Sequence, residues 1–193
     1  QLTDAHEVFL AEMGAKHVGD IAELVEMVHP TMGIVTSVGP QHLETFGSIE
    51  AVAKTKYELI EGLPADGCAF FPNDGAYTKA MYDKTTCKKY LYTLEGEGDV
   101  RAEEVCVSSA GSTFRVVYPG GEFSATTRLL GRHNVQNILG CVAIALELGL
   151  SAEEIRRGIA KIQPVEHRLQ LIQGAGGVTV IDDAFNSNPA GAK

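Results

Sequence analysis

The chain has no run of about 18 or more apolar residues, the length a helix needs to cross a bilayer. Acidic residues interrupt the only apolar stretch of residues 1–15, so nothing there reads as a signal peptide. Basic residues are few: 16 Lys and Arg stand against 25 Asp and Glu, for a net charge of −9. Nucleic acid and anionic membrane are thereby excluded as main partners, because both need a basic surface. A small anionic ligand remains open, since it needs only a local positive site. The four cysteines, Cys68, Cys87, Cys106 and Cys141, include no C-x-x-C pair. They read as isolated buried thiols of a reducing cytoplasmic setting, not as a zinc site. No G-x-x-x-x-G-K-[ST] phosphate loop, internal repeat, low-complexity tract or long linker occurs.

What is present is 193 residues, 45% of them hydrophobic. That length buries a substantial core and suits one domain with room for part of another. Glu7 to Met13 reads as a buried strand closing at Glu12-Met13-Gly14. Val18, Ile21, Leu24, Val25 and Val28 form a helix face, with Asp20 near its start and His29-Pro30 at its end. Further strands are expected over Met32 to Val38, Cys68 to Phe71 and Tyr90 to Tyr92, with a helix over Ala76 to Tyr82. This alternation predicts an α/β fold: right-handed βαβ units in a mostly parallel, doubly wound sheet flanked by helices. Between Asp99 and Leu130 short alternating runs separated by Ala110-Gly111 and Pro119-Gly120-Gly121 predict a small antiparallel β subdomain.

The stretch from Gly39 to Leu63 is the most informative. Ser48 is a good N-cap, and Ile49, Val52, Ala53, Leu59, Ile60 and Leu63 recur at helical spacing on one apolar face. Lys56 lies on that face, while Glu50, Lys54, Tyr57, Glu58 and Glu61 are expected to point elsewhere and Glu50 to pair with Lys54. Two readings of Lys56 stay open. Its stem covers apolar surface while the ammonium reaches water, or desolvation makes the amine neutral and nucleophilic. A neutral amine reacts with carbon dioxide to give a carbamate, which converts a cation into a carboxylate-like ligand for Mg2+. His42, fourteen residues earlier on the loop feeding this helix, favours the second reading. Ligands of open α/β sheets collect at the carboxyl ends of strands. Glu12, closing one strand, and His42, following another, are expected on that edge, although Glu12 also suits helix capping or plain solvation.

The segment GPQHLETFGSIEAVAKTKYE, residues 39–58, resembles the central-domain signature of the Mur ligases, ATP-dependent amide-forming enzymes of peptidoglycan precursor synthesis. Its HLE-x-FGS form is most similar to the type that adds D-alanyl-D-alanine to a UDP-N-acetylmuramoyl tripeptide. The resemblance implies a P-loop NTPase-like central domain. It also implies a Mg2+ site at Glu12, His42 and Lys56, with Lys56 carbamylated. Mg2+ prefers oxygen ligands and keeps several waters, so the imidazole suits a water-mediated contact as well as a direct one.

Two later stretches extend the likeness. In Gly131 to Gly149, Val135, Ile138, Leu139, Val142 and Leu146 form a helix face that Asn134 can cap, and Asn137 lies one turn on. Capping alone accounts for Asn134. A second Asn at Asn137 is poorer for helix stability. The pattern G-x-H-N-x-x-N is also a Mur ligase signature, which implies an adenine contact for Asn137 with Asn134 nearby. Ser151 to Glu154 reads as a capping box opening a further helix. Finally, Arg168 and the stretch Asp182-Asp183-Ala-Phe-Asn186-Ser-Asn188-Pro189 read singly as ordinary loop chemistry. Together they resemble the family's hinge arginine and the start of its C-terminal domain, implying a phosphate contact for Arg168 and a ribose contact for Asp183. Ser37 and the Glu166-His167-Arg168-Leu169 sequence depart from commoner forms of these motifs.

The resemblance leads us to expect residues 1–172 to be a central ATP-binding domain without its phosphate loop. Residues 173–193 are then the hinge and first strand of a C-terminal domain. Such a segment is expected to be a cytoplasmic monomer, inactive as a ligase by itself. Alternatives are another amide ligase of the superfamily, MurE-like or folylpolyglutamate synthase-like, or a non-catalytic nucleotide-binding scaffold. A folylpolyglutamate synthase should show D-G-A-H-N-P where this chain has DDAFNSNP.

Overall fold

A computed structural model describes residues 3–184. Asn186, Asn188 and Pro189 of the last motif lie outside the described residues. The chain divides into two compact units, Gln1–Leu91 and Tyr92–Lys193. Hydrogen bonding orders the main strands among the described residues as β1 (Met32–Ile34), β2 (Cys68–Pro72), β3 (Lys88–Thr93), β4 (Val100–Ser108), β5 (Gly111–Tyr118) and β6 (Gly121–Thr127), parallel at β1 with β2 and at β3 with β4, and antiparallel from β4 to β6.

In the first unit, helix α1 (Asp20–Val28) forms where the periodic apolar residues begin, burying Ile21 and Val25. Its start is fixed twice. Asp20 accepts the backbone N–H groups of Lys16 and His17 at 2.8 and 2.9 Å. Glu58, from a later helix, accepts those of Gly19 and Ala22 at 3.2 and 3.1 Å, placing a carboxylate on the helix's positive end. Strand β1 (Met32–Ile34) pairs in parallel with β2 (Cys68–Pro72), with Gly33 opposite Ala69. Between them run a single-turn helix, α2 (Leu43–Phe46), and the long helix α3 (Ile49–Glu61). Helix α4 (Ala76–Lys84) leads on to β3 (Lys88–Thr93), which crosses the division between the units.

Helix α3 starts as its sequence predicts, with the Ser48 hydroxyl accepting the Ala51 N–H at 3.2 Å. Its buried face is broader than the apolar stripe alone. Thr55 and Tyr57 are buried beside Val52, Ala53 and Ile60. Tyr57 was expected to face outward; instead its ring joins the core and its hydroxyl meets Thr85 Oγ1 at 3.1 Å. Thr55 Oγ1 is buried with no hydrogen-bond partner among the described residues. Glu50 accepts from the Tyr77 hydroxyl at 2.5 Å rather than pairing with Lys54. Val35, Ala69, Phe71, Met81 and Leu91 complete this core, where Phe71 meets Tyr82 edge-on at 6.0 Å between ring centroids.

The expected strand over Glu7 to Met13 is not formed. Those residues are coil, and Val8, Phe9 and Leu10 are exposed. An apolar run becomes a strand only where a neighbour takes up its backbone hydrogen bonds, and none of the described strands does so.

In the second unit the end of β3 pairs with β4 (Val100–Ser108), followed by β5 (Gly111–Tyr118) and β6 (Gly121–Thr127) as an antiparallel meander. Helix α5 (Arg132–Glu147) buries Val135, Ile138, Leu139 and Val142. The capping box of Ser151 and Glu154 opens α6 (Ala152–Lys161). A hairpin of β7 (Gln170–Gln173) and β8 (Thr179–Asp182) pairs Gln170 with Asp182. The cysteines are free; Cys68 is buried, but Cys106 and Cys141 are exposed, against the expectation of buried thiols. Among the described residues no helix is long and apolar enough to cross a membrane.

Candidate functional site

Lys56 is half-buried on α3, and its Nζ donates to the Ser37 carbonyl at 2.8 Å and to Gln41 Oε1 at 3.2 Å. Burial pushes its amine below the ordinary lysine value, while the Asp74 carboxylate opposes that shift. Asp74, just past the end of β2, is itself held above the usual carboxylate range by burial, although it accepts from Thr78 Oγ1 at 2.8 Å. The Lys56 nitrogen is thus held by two acceptors on the loop that precedes α2.

Gln41 carries this contact to the residue before His42. His42 has a left-handed backbone, φ 48°, an uncommon state for a residue with a side chain. It precedes α2, where its carbonyl accepts the N–H groups of Thr45 and Phe46, each at 3.0 Å. Its Nδ1 lies 3.6 Å from Glu44 Oε1 and its side chain is about half exposed. The Thr45 hydroxyl also donates to the Lys16 carbonyl, which ties the segment after Glu12 to this loop. Glu12 itself sits in exposed coil. Among the described residues no three His, Cys, Asp or Glu side chains gather as a metal site. The loop and helix therefore bring Lys56 beside the His42 turn, while Glu12 is not on a strand end.

In the second unit Asn134 is half-buried within the first turn of α5. It does not cap the helix as its sequence suggests. Gly131, with φ 89°, holds the N-cap position without a side chain, and Asn134 Nδ2 donates back to the Leu130 carbonyl at 2.7 Å. Asn137 is exposed and its side chain has no hydrogen bond among the described residues. Arg168 is exposed at the head of the β7–β8 hairpin. Asp183, directly after β8, accepts the Leu169 N–H at 3.1 Å, so the hairpin brings the Arg168 turn and Asp183 together.

Four neighbours of these residues were not singled out in the sequence: Gln41, Asp74, His167 and Asp182. Asp74 was accessible, because it follows an apolar strand at its carboxyl end, the rule already applied to Glu12 and His42. His167 and Asp182 meet only through hairpin register, with Nδ1 and Oδ2 2.7 Å apart.

The Mur ligase middle domain family matches residues 1–145. The UDP-N-acetylmuramoyl-tripeptide–D-alanyl-D-alanine ligase of Mycobacterium tuberculosis is 37% identical over 186 residues, covering 95% of this chain and 36% of the relative. The Escherichia coli ligase of that name is 31% identical over 191 residues, covering 97% and 42%. Among solved structures, MurF from Acinetobacter baumannii superposes with a TM-score of 0.86 at 30% identity, over 93% of this chain and 39% of that one. MurF ligase from Thermotoga maritima, in complex with ADP, shares the fold at TM-score 0.81 and 22% identity, over 93% and 41%. The chain thus spans about two fifths of the length of the relatives it matches. By its matched residues, its α/β architecture and these relatives of the MurF type, the chain belongs to the Mur ligase middle-domain family.

Proposed function

We propose that this chain is part of a cytoplasmic, monomeric ATP-dependent ligase that adds D-alanyl-D-alanine to a UDP-N-acetylmuramoyl tripeptide. The observation that carries this reading is Lys56, a half-buried amine of lowered pKa held beside the His42 turn. Residues 1–172 would form the central ATP-binding domain, and residues 173–193 the hinge and first strand of the next.

Joining a carboxylate to an amine in water is uphill, so the reaction needs an activated acyl group. The tripeptide carboxylate takes the γ-phosphoryl group of ATP, giving an acyl phosphate and ADP. The dipeptide amine then attacks the acyl carbon, the amine proton goes to solvent or a base, and inorganic phosphate leaves. Positioning and charge neutralisation dominate such phosphoryl transfer. Exposed Asn137 would meet the adenine, with Asn134 holding the turn beneath it. Asp183 would accept from a ribose hydroxyl, and the Arg168 guanidinium would face phosphate charge. Mg2+, when bound, supplies neutralisation of phosphate and carboxylate charge. A carbamylated Lys56, with His42 and Glu12, would hold it. The hydrogen bond from Lys56 to Gln41, the residue before His42, supports that role, and Glu12 would have to leave its exposed coil to join them.

The decisive test is Lys56→Ala in the complete ligase, which should lower kcat/KM by at least about a hundredfold, in line with losses at the supporting residues of metal sites. Small carboxylates such as acetate should restore part of it, whereas bicarbonate should not. Unchanged turnover would remove the carbamate from the mechanism.

A further inference from the structure

Arg168 sits on a turn that should not hold itself. The residues on both sides of it have left-handed backbones, His167 at φ 62° and Leu169 at φ 45°. Histidine visits that region more readily than most residues, but a bulky leucine there is a clear outlier. Such a conformation persists only where its surroundings over-determine it. Several hydrogen bonds hold the turn. The Arg168 N–H donates to the Val165 carbonyl at 3.1 Å, the His167 N–H to Gln170 Oε1 at 3.3 Å, and the Leu169 N–H to Asp183 Oδ1 at 3.1 Å. The His167–Asp182 pair adds a contact between two side chains across the hairpin, Nδ1 to Oδ2 at 2.7 Å. Asp182 is in turn fixed by the Ala184 N–H, which donates to its other oxygen at 3.2 Å. The two consecutive aspartates therefore clamp the two residues that flank Arg168, one through a side chain and one through the backbone.

We infer that His167 is a positioning residue for nucleotide binding, its contact with Asp182 fixing the strained turn that presents Arg168 to phosphate. The inference rests on the reading of Arg168 and Asp183 as nucleotide residues. It adds a pH dependence to that site. Glu166 and Asp182 act on the imidazole, with Arg168 next along the chain and Asp183 at the end of the facing strand. The Asp182 hydrogen bond raises His167 above its ordinary value, and His167 lowers Asp182 in return. A raised histidine contributes its share fully below its unfolded value and loses it as pH rises through the folded one. A lowered aspartate contributes above its unfolded value and loses its share as pH falls through the folded one. The clamp is thus strongest in mildly acidic solution, above the ordinary aspartate value and below the ordinary histidine value, and slackens as pH rises through the raised imidazole value.

The test measures KM for ATP and kcat separately, across pH, in the complete ligase. His167→Ala and Asp182→Asn should each raise KM for ATP about tenfold while kcat at saturating ATP stays within about twofold. His167→Asn should keep a low KM, because its amide nitrogen replaces Nδ1 and asparagine tolerates a positive φ. In the wild type KM should climb as pH rises through the imidazole transition, and in His167→Asn that climb should vanish. Arg168→Ala serves as the reference. If it leaves KM for ATP unchanged, the nucleotide reading itself fails. If it raises KM while His167→Ala does not, or if His167→Ala lowers kcat alone, the positioning role fails and the nucleotide reading stands.

Discussion

Asn137 shows how a single residue can work against its own element. Asparagine in a helix interior is less favourable than alanine by roughly 0.5 kcal/mol, because its side chain competes for backbone partners. Here the side chain is exposed on α5 and makes no hydrogen bond among the described residues, so the helix gains nothing from it. Asn137→Ala should therefore stabilise the chain by about 0.5 kcal/mol in denaturant titration. In the complete ligase the same change should raise KM for ATP. A variant that is less stable, with unaltered KM, would return Asn137 to a structural role. Asn134 differs, because its amide is committed to the Leu130 carbonyl and its loss should register first in stability.

At the scale of elements, α1 depends on a residue far from it in sequence. Glu58 on α3 accepts two of the N–H groups that open α1, in place of an N-cap side chain that Gly19 cannot supply. Glu58→Ala should cost about 1 kcal/mol, the ordinary cost of losing a cap, measured by urea unfolding. A change within error would mean that water replaces the carboxylate fully. This dependence also marks where sequence reading stops. Local signals located α3 through Ser48, α6 through Ser151 and Glu154, and β2 through its unbroken apolar run. They could not find the cap of α1, the burial of Tyr57 or the Tyr77–Glu50 contact, since each is made by a partner distant in sequence. The coil at Glu7 to Met13 fails for the related reason that strand pairing is a property of neighbours. Lys56 was legible because a charge inside an apolar stripe is a local anomaly; the acceptors Ser37 and Gln41 were not.

For the whole molecule, the net charge is −9, and each proposed site draws on one named cation, Lys56 in one and Arg168 in the other. Each proposed site belongs to one of the two units, Lys56 and His42 to Gln1–Leu91 and Asn137, Arg168 and Asp183 to Tyr92–Lys193. Global stability offers its own handle. The buried Thr55 hydroxyl has no acceptor among the described residues, which costs about 1–3 kcal/mol for a polar group so placed. Thr55→Val swaps that oxygen for a methyl of similar shape, and the melting midpoint should rise by a few degrees, at about 2–4 °C per kcal/mol for a chain of this size. A lower midpoint would reveal a hidden acceptor. If the rise is seen, the interior of α3 has a spare improvement that leaves the amine one residue further on untouched, so a more heat-tolerant protein need not be a slower one.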